Sequence, residues 1–255
     1  MTGKLANRTV IVTGATKGIG REACLALARE GAKIVATGRD EKGGLETAAL
    51  VGDLGGECLY LRHDIRKEND WRDVFAKTTE RFGAPHGLVN NAGIFFVKPL
   101  AETTEEDFDN IYSINVEGTF LGVKHAFQSF AASQTQGAIV NVSSLMGQVG
   151  FPNAIAYCAT KGAITAMTKT AAMEGAAMSP KVRVNSLHPG VIWTPMITGT
   201  FGDDKALSDA FAADTPLKMI GLPEYMADAI TFLISDDSAY ITGAELTADG
   251  GRGAD

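Results

Sequence analysis

Short apolar segments rich in β-branched residues recur along the 255-residue chain. Most of them lack strict apolar–polar alternation, which is typical of strands that are covered on both faces. The pattern predicts seven strands, at Thr9–Thr13, Lys33–Thr37, Glu57–Arg62, Gly87–Asn90, Gly137–Ser143, Lys181–His188 and Ala244–Thr247.

Helical periodicity occupies the stretches between these strands. Predicted helices span Gly18 to Glu30, about Ile155 to Met178, and Pro223 to about Ile234. A fourth begins at Thr103, because Thr103 and Glu106 have the spacing of a capping box. The alternation of strands and helices predicts the α/β class: one Rossmann-type domain over residues 1–255, with a doubly wound parallel sheet and helices on both faces.

Charge and cysteine content exclude several classes of function. Acidic residues outnumber basic ones by 30 to 23, the formal net charge is −7, and no basic block occurs. Nucleic acid and anionic membranes are therefore not expected partners. The three cysteines are scattered, which predicts a reducing cytoplasm. The four histidines lack ligand spacing, so no catalytic metal is expected. No apolar run reaches about 20 residues, so a soluble protein is predicted.

A glycine-rich segment, TGATKGIG at Thr13–Gly20, joins the first predicted strand to the first predicted helix. Glycines at such a junction let the backbone approach a pyrophosphate, and the start of the helix offers free N–H groups. The segment predicts a nucleotide-binding loop, with an ordinary glycine-rich turn as the alternative. Its glycines, at positions 14, 18 and 20, do not have the GxGxxG spacing.

Further motifs follow in the order and separation found in the short-chain dehydrogenase/reductase family. They are Asn90-Asn91-Ala92-Gly93, Asn115, Ser144, Tyr157 with Lys161, and Pro189-Gly190 with Thr194. With the TGxxxGxG loop, they make the chain resemble this family over essentially its whole length. The segments around His63-Asp64, RVNSLHPG and TPM are most similar to bacterial secondary-alcohol and hydroxysteroid dehydrogenases. The resemblance implies hydride transfer between a nicotinamide cofactor and a carbonyl carbon.

Tyr157 and Lys161 have the i, i+4 spacing that brings two side chains to one face of a helix. We expect the lysine ammonium to lower the pKa of the phenol, so that Tyr157 exchanges a proton with an alcohol or carbonyl oxygen. The Ser144 hydroxyl can donate a hydrogen bond to the same oxygen. The spacing found in the family selects Ser144 over Ser143, which we expect to point to the opposite side of the strand. The resemblance adds Asn115, which fixes a helix distortion and a water near Lys161.

The resemblance also implies which residues bind the dinucleotide. They comprise the glycine-rich loop, an arginine after the second strand, two residues after the third, the Asn-Ala-Gly run, the catalytic pair at the nicotinamide ribose, and a stretch at the carboxamide. The residues are Gly14, Thr16, Lys17, Gly18, Ile19, Gly20, Arg39, Asp64, Ile65, Asn91, Ala92, Gly93, Tyr157, Lys161, Pro189, Gly190, Ile192 and Thr194.

The end of the second predicted strand bears on the choice of cofactor. Relatives that prefer NAD carry an acidic residue there, which binds the ribose 2′-hydroxyl. Here Gly38 occupies the position, and Asp40 is expected to point elsewhere. Arg39 and Lys17 are cations that can pair with a 2′-phosphate. NADP(H) is therefore predicted, with NAD(H) as the alternative if both cations are merely solvated.

Apolar residues near the motifs predict a pocket for a hydrophobic secondary alcohol or ketone, although each of them could instead belong to the core. They are Phe95, Met146, Val149, Trp193 and Met196. The segment at about 195–222 contains glycines and paired aspartates, which favours a substrate-binding lid that orders on binding. Arg183 and Arg252 are interpreted as surface or packing residues without a function.

Two other functions stay open. A reductase of ketoacyl groups on an acyl carrier protein has the same motifs and needs a basic entrance for its acidic carrier. A non-catalytic dinucleotide sensor does not need Ser144, Tyr157 and Lys161. The family usually pairs the helix near 155–178 between subunits, and small side chains on it permit close packing, so a homotetramer is predicted. These side chains are Ala159, Ala163, Ala166, Ala171 and Ala172.

Overall fold

The computed structural model describes residues 3–254. Its strands are β1 (Thr9–Thr13), β2 (Lys33–Gly38), β3 (Cys58–Arg62), β4 (Gly87–Asn90), β5 (Gly137–Val142), β6 (Val182–Pro189) and β7 (Glu245–Ala248). Its α-helices are α1 (Gly18–Arg29), α2 (Glu41–Asp53), α3 (Glu68–Phe82), α4 (Glu105–Tyr112), α5 (Gly118–Ser133), α6 (Ile155–Ala177), α7 (Pro195–Phe201), α8 (Lys205–Ala213) and α9 (Pro223–Ile234). Within this range, no helix is both long enough and apolar enough to cross a membrane.

The seven strands form one parallel sheet in the order β3-β2-β1-β4-β5-β6-β7. From β1 the chain adds strands on one side as far as β3, and then crosses to the other side of β1 with β4. The predicted doubly wound sheet is therefore confirmed. The reversal leaves a crevice outside the carboxyl ends of β1 and β4, which is where open sheets of this kind bind ligands.

Two apolar layers cover the sheet, because successive residues of a strand point to opposite faces. Val10 and Val12 of β1 pack into the layer that contains α1 and α9. Ile11, between them, packs into the opposite layer with Trp71 of α3 and Phe130 of α5. Both faces are buried, and this explains why the strands lack the alternation of a half-exposed sheet.

The predicted start of α4 is wrong by one residue. The Thr104 hydroxyl accepts a hydrogen bond from the backbone N–H of Asp107 at 3.1 Å, and the Asp107 carboxylate accepts one from the Thr104 N–H at 3.0 Å. The Thr103 hydroxyl instead donates to the Pro99 carbonyl at 3.1 Å. Two overlapping pairs have capping-box spacing, and the preceding turn decides between them by engaging Thr103.

Arg183 makes buried hydrogen bonds to the end of α9, a structural role beyond the surface or packing role expected for it. Its side chain is buried at the amino end of β6 and donates to the carbonyl oxygens of Leu233 and Ser235, both at 2.9 Å. It also donates to the Ser238 hydroxyl at 2.8 Å. These carbonyls belong to the last turn of α9, whose orphan acceptors the guanidinium satisfies. Arg183 thereby ties α9 to the sheet.

Replacing Arg183 with Met should lower the free energy of unfolding by about 3 kcal/mol, because buried carbonyl oxygens lose a charged donor. Urea denaturation of the cofactor-free protein measures this change. Arg29→Met, which removes the same charge from an exposed position at the end of α1, is the matched control and should change stability by less than about 0.5 kcal/mol. Equal effects of the two substitutions would contradict the role of Arg183.

Candidate active site

The loop between β1 and α1 lies at the carboxyl edge of the sheet. Gly14 and Gly18 have positive φ angles of 62° and 56°, and a Cβ on Gly14 would lie 2.8 Å from Ala92 Cα. Glycine is therefore required for both the turn and the close approach. The side chain of Lys17, at the N-cap position of α1, does not cap the helix. The free N–H groups of its first turn fit an anionic ligand such as a pyrophosphate.

Asn91 holds this loop against the segment that follows β4. Its side-chain amide donates to the carbonyl oxygens of Thr13 at 2.9 Å and Gly14 at 3.2 Å. In return, the Thr13 hydroxyl accepts from the backbone N–H groups of Asn91 and Ala92, both at 3.0 Å. The Asn-Ala-Gly run thus shapes the loop, which is a structural role beyond the cofactor contact expected for it.

A cavity of about 520 Å³ extends from this loop along the carboxyl ends of β1, β2 and β4. The predicted cofactor residues that line it are Gly14, Thr16, Lys17, Gly18, Ile19, Arg39, Asp64, Ile65, Asn91, Ala92, Gly93 and Thr194. Gly20 does not line it, because it lies beneath the loop, where a Cβ would be 2.3 Å from the Gly14 oxygen. The glycine loop, the uncapped helix and two cations together fit a dinucleotide phosphate.

Ser144, Tyr157 and Lys161 line one smaller cavity, of about 90 Å³, next to the first. The predicted residues Pro189, Gly190 and Ile192 also line it. Ser143 turns away, as expected, because its hydroxyl donates to the Lys161 carbonyl at 2.9 Å behind the site. The motifs at the ends of β4, β5 and β6 and the start of α6 therefore meet at one point.

Burial dominates the protonation of the tyrosine–lysine pair. It raises the pKa of Tyr157 to about 12, against which the Ser144 hydroxyl has a lowering effect. Burial also lowers the pKa of Lys161 to about 8. The Lys161 ammonium donates to the Val142 carbonyl at 2.8 Å and lies 5.5 Å from the centroid of the tyrosine ring. The expected lowering of the Tyr157 pKa by Lys161 is wrong for the cofactor-free protein, because desolvation disfavours both charged forms.

Asn115 lies in a π-helical turn, Ser113–Glu117, between α4 and α5. Its side-chain oxygen accepts from the Ile94 N–H at 2.8 Å, and its amide donates to the Ile94 carbonyl at 3.0 Å and to the Thr160 hydroxyl at 3.1 Å. The expected helix distortion is therefore present. Asn115 uses it to join the segment after β4 to α6, while its part in a proton relay stays a prediction.

His188 was missed in the sequence because it belongs to no ligand motif. Its ring is fully buried, and Nδ1 lies 2.9 Å from the Ser144 carbonyl oxygen, which can only accept, so Nδ1 carries the proton. The Ser186 hydroxyl lies 2.8 Å from Nε2. In the β5–β6 register, Val142 at the end of β5 pairs with Leu187 of β6. This register places His188 beside the residues that follow β5.

Among residues 3–254, no cluster of His, Cys, Asp or Glu is arranged for a metal ion.

A third cavity, of about 270 Å³, opens from Ser144 and Tyr157 on the other side. The predicted residues Phe95, Met146, Val149 and Met196 line it. Trp193 does not, which corrects the prediction. Its neighbour Ile192 is buried and packs into the apolar layer that contains α1 and α9. Arg252, which was assigned no function, does line this cavity.

Residues 195–222 contain two helices, α7 and α8. The expected role of this segment as a substrate-binding lid stays a prediction. An aromatic chain connects these helices to the site. The ring of Phe95 lies 4.8 Å from that of Tyr157 and 5.9 Å from that of Phe201, and Phe201 lies 5.6 Å from Phe211. The segment therefore covers the site with apolar surface.

Comparisons with known proteins agree with this geometry. Residues 14–252 match the family described as enoyl-(acyl carrier protein) reductase. The chain is 38% identical to a cyclopentanol dehydrogenase of Comamonas sp. (strain NCIMB 9872). It is also 38% identical to an NADP-dependent (R)-specific alcohol dehydrogenase of Lentilactobacillus kefiri. Each alignment covers 98% of this chain and 98% of the relative. A short-chain type dehydrogenase/reductase from Mycobacterium marinum superposes with a TM-score of 0.91 at 29% identity, over 97% of this chain and 96% of the other. The chain therefore belongs to the short-chain dehydrogenase/reductase family of oxidoreductases.

Proposed function

We propose that the protein transfers a hydride between NADP(H) and a hydrophobic secondary alcohol or ketone. The observation that carries the proposal is the position of Ser144, Tyr157 and Lys161. They line a small cavity that shares residues with the glycine-loop cavity on one side and with the apolar cavity on the other. A cofactor and a substrate held in these two cavities would meet at the tyrosine.

The apolar lining supports the class of substrate. Phe95, Met146 and Val149 offer contacts to carbon, and the polar groups concentrate at Ser144 and Tyr157, where the reacting oxygen would lie. The relatives named for cyclopentanol and for (R)-specific alcohol oxidation act on substrates of this chemistry. A non-catalytic sensor would have no use for the buried tyrosine–lysine pair.

The protein's own groups orient the substrate and move the proton. Tyr157, whose buried phenol is protonated at neutral pH, donates its proton to the carbonyl oxygen during reduction and accepts it during oxidation. The Ser144 hydroxyl donates to the same oxygen, and His188 fixes the Ser144 backbone through its carbonyl. Lys161 would hold the ribose of a bound nicotinamide cofactor. The bound nicotinamide supplies or takes up the hydride.

The charges at the far end of the cofactor cavity favour NADP(H). Lys17 and Arg39 line the cavity, and Gly38 leaves that strand end without a carboxylate. Asp40 also lines the cavity, but its carboxylate caps α2 by accepting from the Gly43 N–H at 3.2 Å. Arg66 pairs with the Asp64 carboxylate, and this hydrogen bonding holds the pKa of Asp64 at about 2. The nearby carboxylates are therefore engaged, and the two cations remain for a 2′-phosphate.

An exposed face of α6 supports a homo-oligomer, which we take to be a tetramer. Ile155, Ala159, Ala166 and Met173 are exposed along this helix, and Met173 is 78% exposed. Ala171 and Ala172 are buried within the subunit, so they cannot contribute to a contact between subunits as the alanine pattern had indicated.

The free thiols of Cys24, Cys58 and Cys158 suit a reducing cytoplasm.

Replacing Tyr157 with Phe should lower kcat for ketone reduction by about 10²–10⁴-fold, because the proton donor is lost while the ring remains. The assay follows NADPH absorbance with a panel of an aliphatic ketone, an aryl ketone, a steroid ketone and an acetoacetyl thioester. Fluorescence titration should show that the variant still binds NADPH. A wild-type protein inactive on every ketone, or active only on the thioester, would refute the proposed substrate class.

The raised pKa of Tyr157 gives a second prediction. In the cofactor-free protein at about pH 9, an ordinary tyrosine with a pKa of about 10 is already partly ionised. Tyr157 should still be fully protonated there, because its pKa is about 12. Tyrosinate absorbance should therefore be the same in wild type and Tyr157→Phe up to that pH. An excess of one tyrosinate in the wild type below pH 9 would show that burial does not control this phenol.

Replacing Gly38 with Asp should shift the ratio of kcat/KM for NADH over NADPH upward by about 10²-fold, because a carboxylate repels the 2′-phosphate and accepts from a ribose hydroxyl. A Cβ at this position lies 2.6 Å from Thr16 Cγ2, so Thr16 must also move. Gly38→Asn has the same size without the charge and should weaken both cofactors without reversing the preference. Wild-type protein that prefers NADH would disprove the assignment.

A further inference from the structure

Arg252 introduces a charge into an otherwise uncharged cavity. Among the described residues that line the 270 Å³ substrate cavity, it is the one side chain that is ionised at neutral pH. The side chain is 26% exposed, and its guanidinium lies 5.9 Å from the centroid of the Phe151 ring. Burying most of an arginine against apolar and aromatic surface is costly unless the charge meets a partner.

The backbone around Arg252 is held in position. The Asp249 carboxylate accepts hydrogen bonds from the N–H groups of Gly251 at 2.9 Å and Gly253 at 2.6 Å, the two neighbours of the arginine. The carbonyl of Gly250 accepts from the Leu217 N–H at 3.1 Å. The backbone that carries Arg252 is therefore fixed against residues 215–217.

The guanidinium retains unused donors. Within residues 3–254, Asp214 is its one carboxylate partner, contacted through Nη2. A guanidinium has five N–H donors in a planar fork. Asp214 is 56% exposed and so lies on the solvent side of the pair. Ion pairs of this exposure contribute little to stability, so a second anion can share or replace this contact.

We propose that Arg252 recognises a carboxylate on the substrate. The substrates are then oxo acids, or the matching hydroxy acids, in which an apolar spacer separates the reacting carbon from the carboxylate. The ketone meets Ser144 and Tyr157, the spacer contacts the apolar lining, and the carboxylate receives the fork of Arg252. This assignment rests on the proposed ketone reduction and specifies which ketones the site prefers.

The test compares each oxo acid with its methyl ester, which has the same spacer without the charge. Levulinate, its next longer homologues and their methyl esters are assayed with NADPH on the wild type and Arg252→Met. We expect the substitution to lower kcat/KM for the best acid by about 10–100-fold, mainly through KM, because the anchor binds ground state and transition state alike. The esters should change by less than about twofold.

Three further variants separate charge recognition from a structural role. Arg29→Met, the remote control, should leave acids and esters unchanged. Arg252→Lys should retain part of the preference for the acid, because it keeps the charge and loses the fork. Asp214→Asn should raise kcat/KM for the acid by freeing the guanidinium. Equal losses on acid and ester in Arg252→Met would show that the arginine only holds the lid segment, and would overturn the proposal.

A binding measurement keeps this inference separate from the proposed reaction. Calorimetric titration of the NADP⁺-loaded protein with cyclohexanecarboxylate, which cannot be reduced, should give at least about tenfold weaker binding in Arg252→Met than in the wild type. Equal affinities would overturn the recognition of carboxylates even if neutral ketones are reduced. Failure of every ketone to react, with the affinity difference intact, would overturn the proposed reaction alone.

Discussion

The hydrogen bonds between Thr13 and the Asn91-Ala92 segment join the carboxyl ends of β1 and β4, and every part of the site depends on them. In the sheet, β1 and β4 pair from Val10 with Gly87 to Val12 with Val89, and this pairing stops before Thr13 and Asn90. The Thr13 hydroxyl and the Asn91 amide supply the missing contacts. They hold the glycine loop on one side and the approach to the catalytic cavity on the other.

The same crevice creates the electrostatic conditions for proton transfer. Burial raises the pKa of Tyr157 and lowers the pKa of Lys161, because it disfavours the charged form of each group. The coupling expected from their i, i+4 spacing does not prevail, because Lys161 donates to a backbone carbonyl instead of the phenol.

Charge is distributed unevenly between the two ligand cavities. The cofactor cavity has Lys17 and Arg39 at one end, where the carboxylates of Asp40 and Asp64 are engaged by a helix start and by an arginine. The substrate cavity is apolar except for its catalytic end and for Arg252. Both distributions suit ligands that are anionic at one end.

The hydrophobic pattern alone predicted the fold class and the seven strands to within one residue, whereas Ser144, Tyr157 and Lys161 were predicted from their motifs together with the resemblance to the family. These properties are local: apolar runs define buried strands, and a motif keeps its spacing wherever it lies. Tertiary structure decided what depends on neighbours distant in sequence. The capping residue of α4, the absence of Trp193 from the lining of the substrate cavity, the raised pKa of Tyr157 and the presence of Arg252 in that cavity all follow from packing between segments. Burial and side-chain surroundings are set by what packs against a residue and not by its position in the chain.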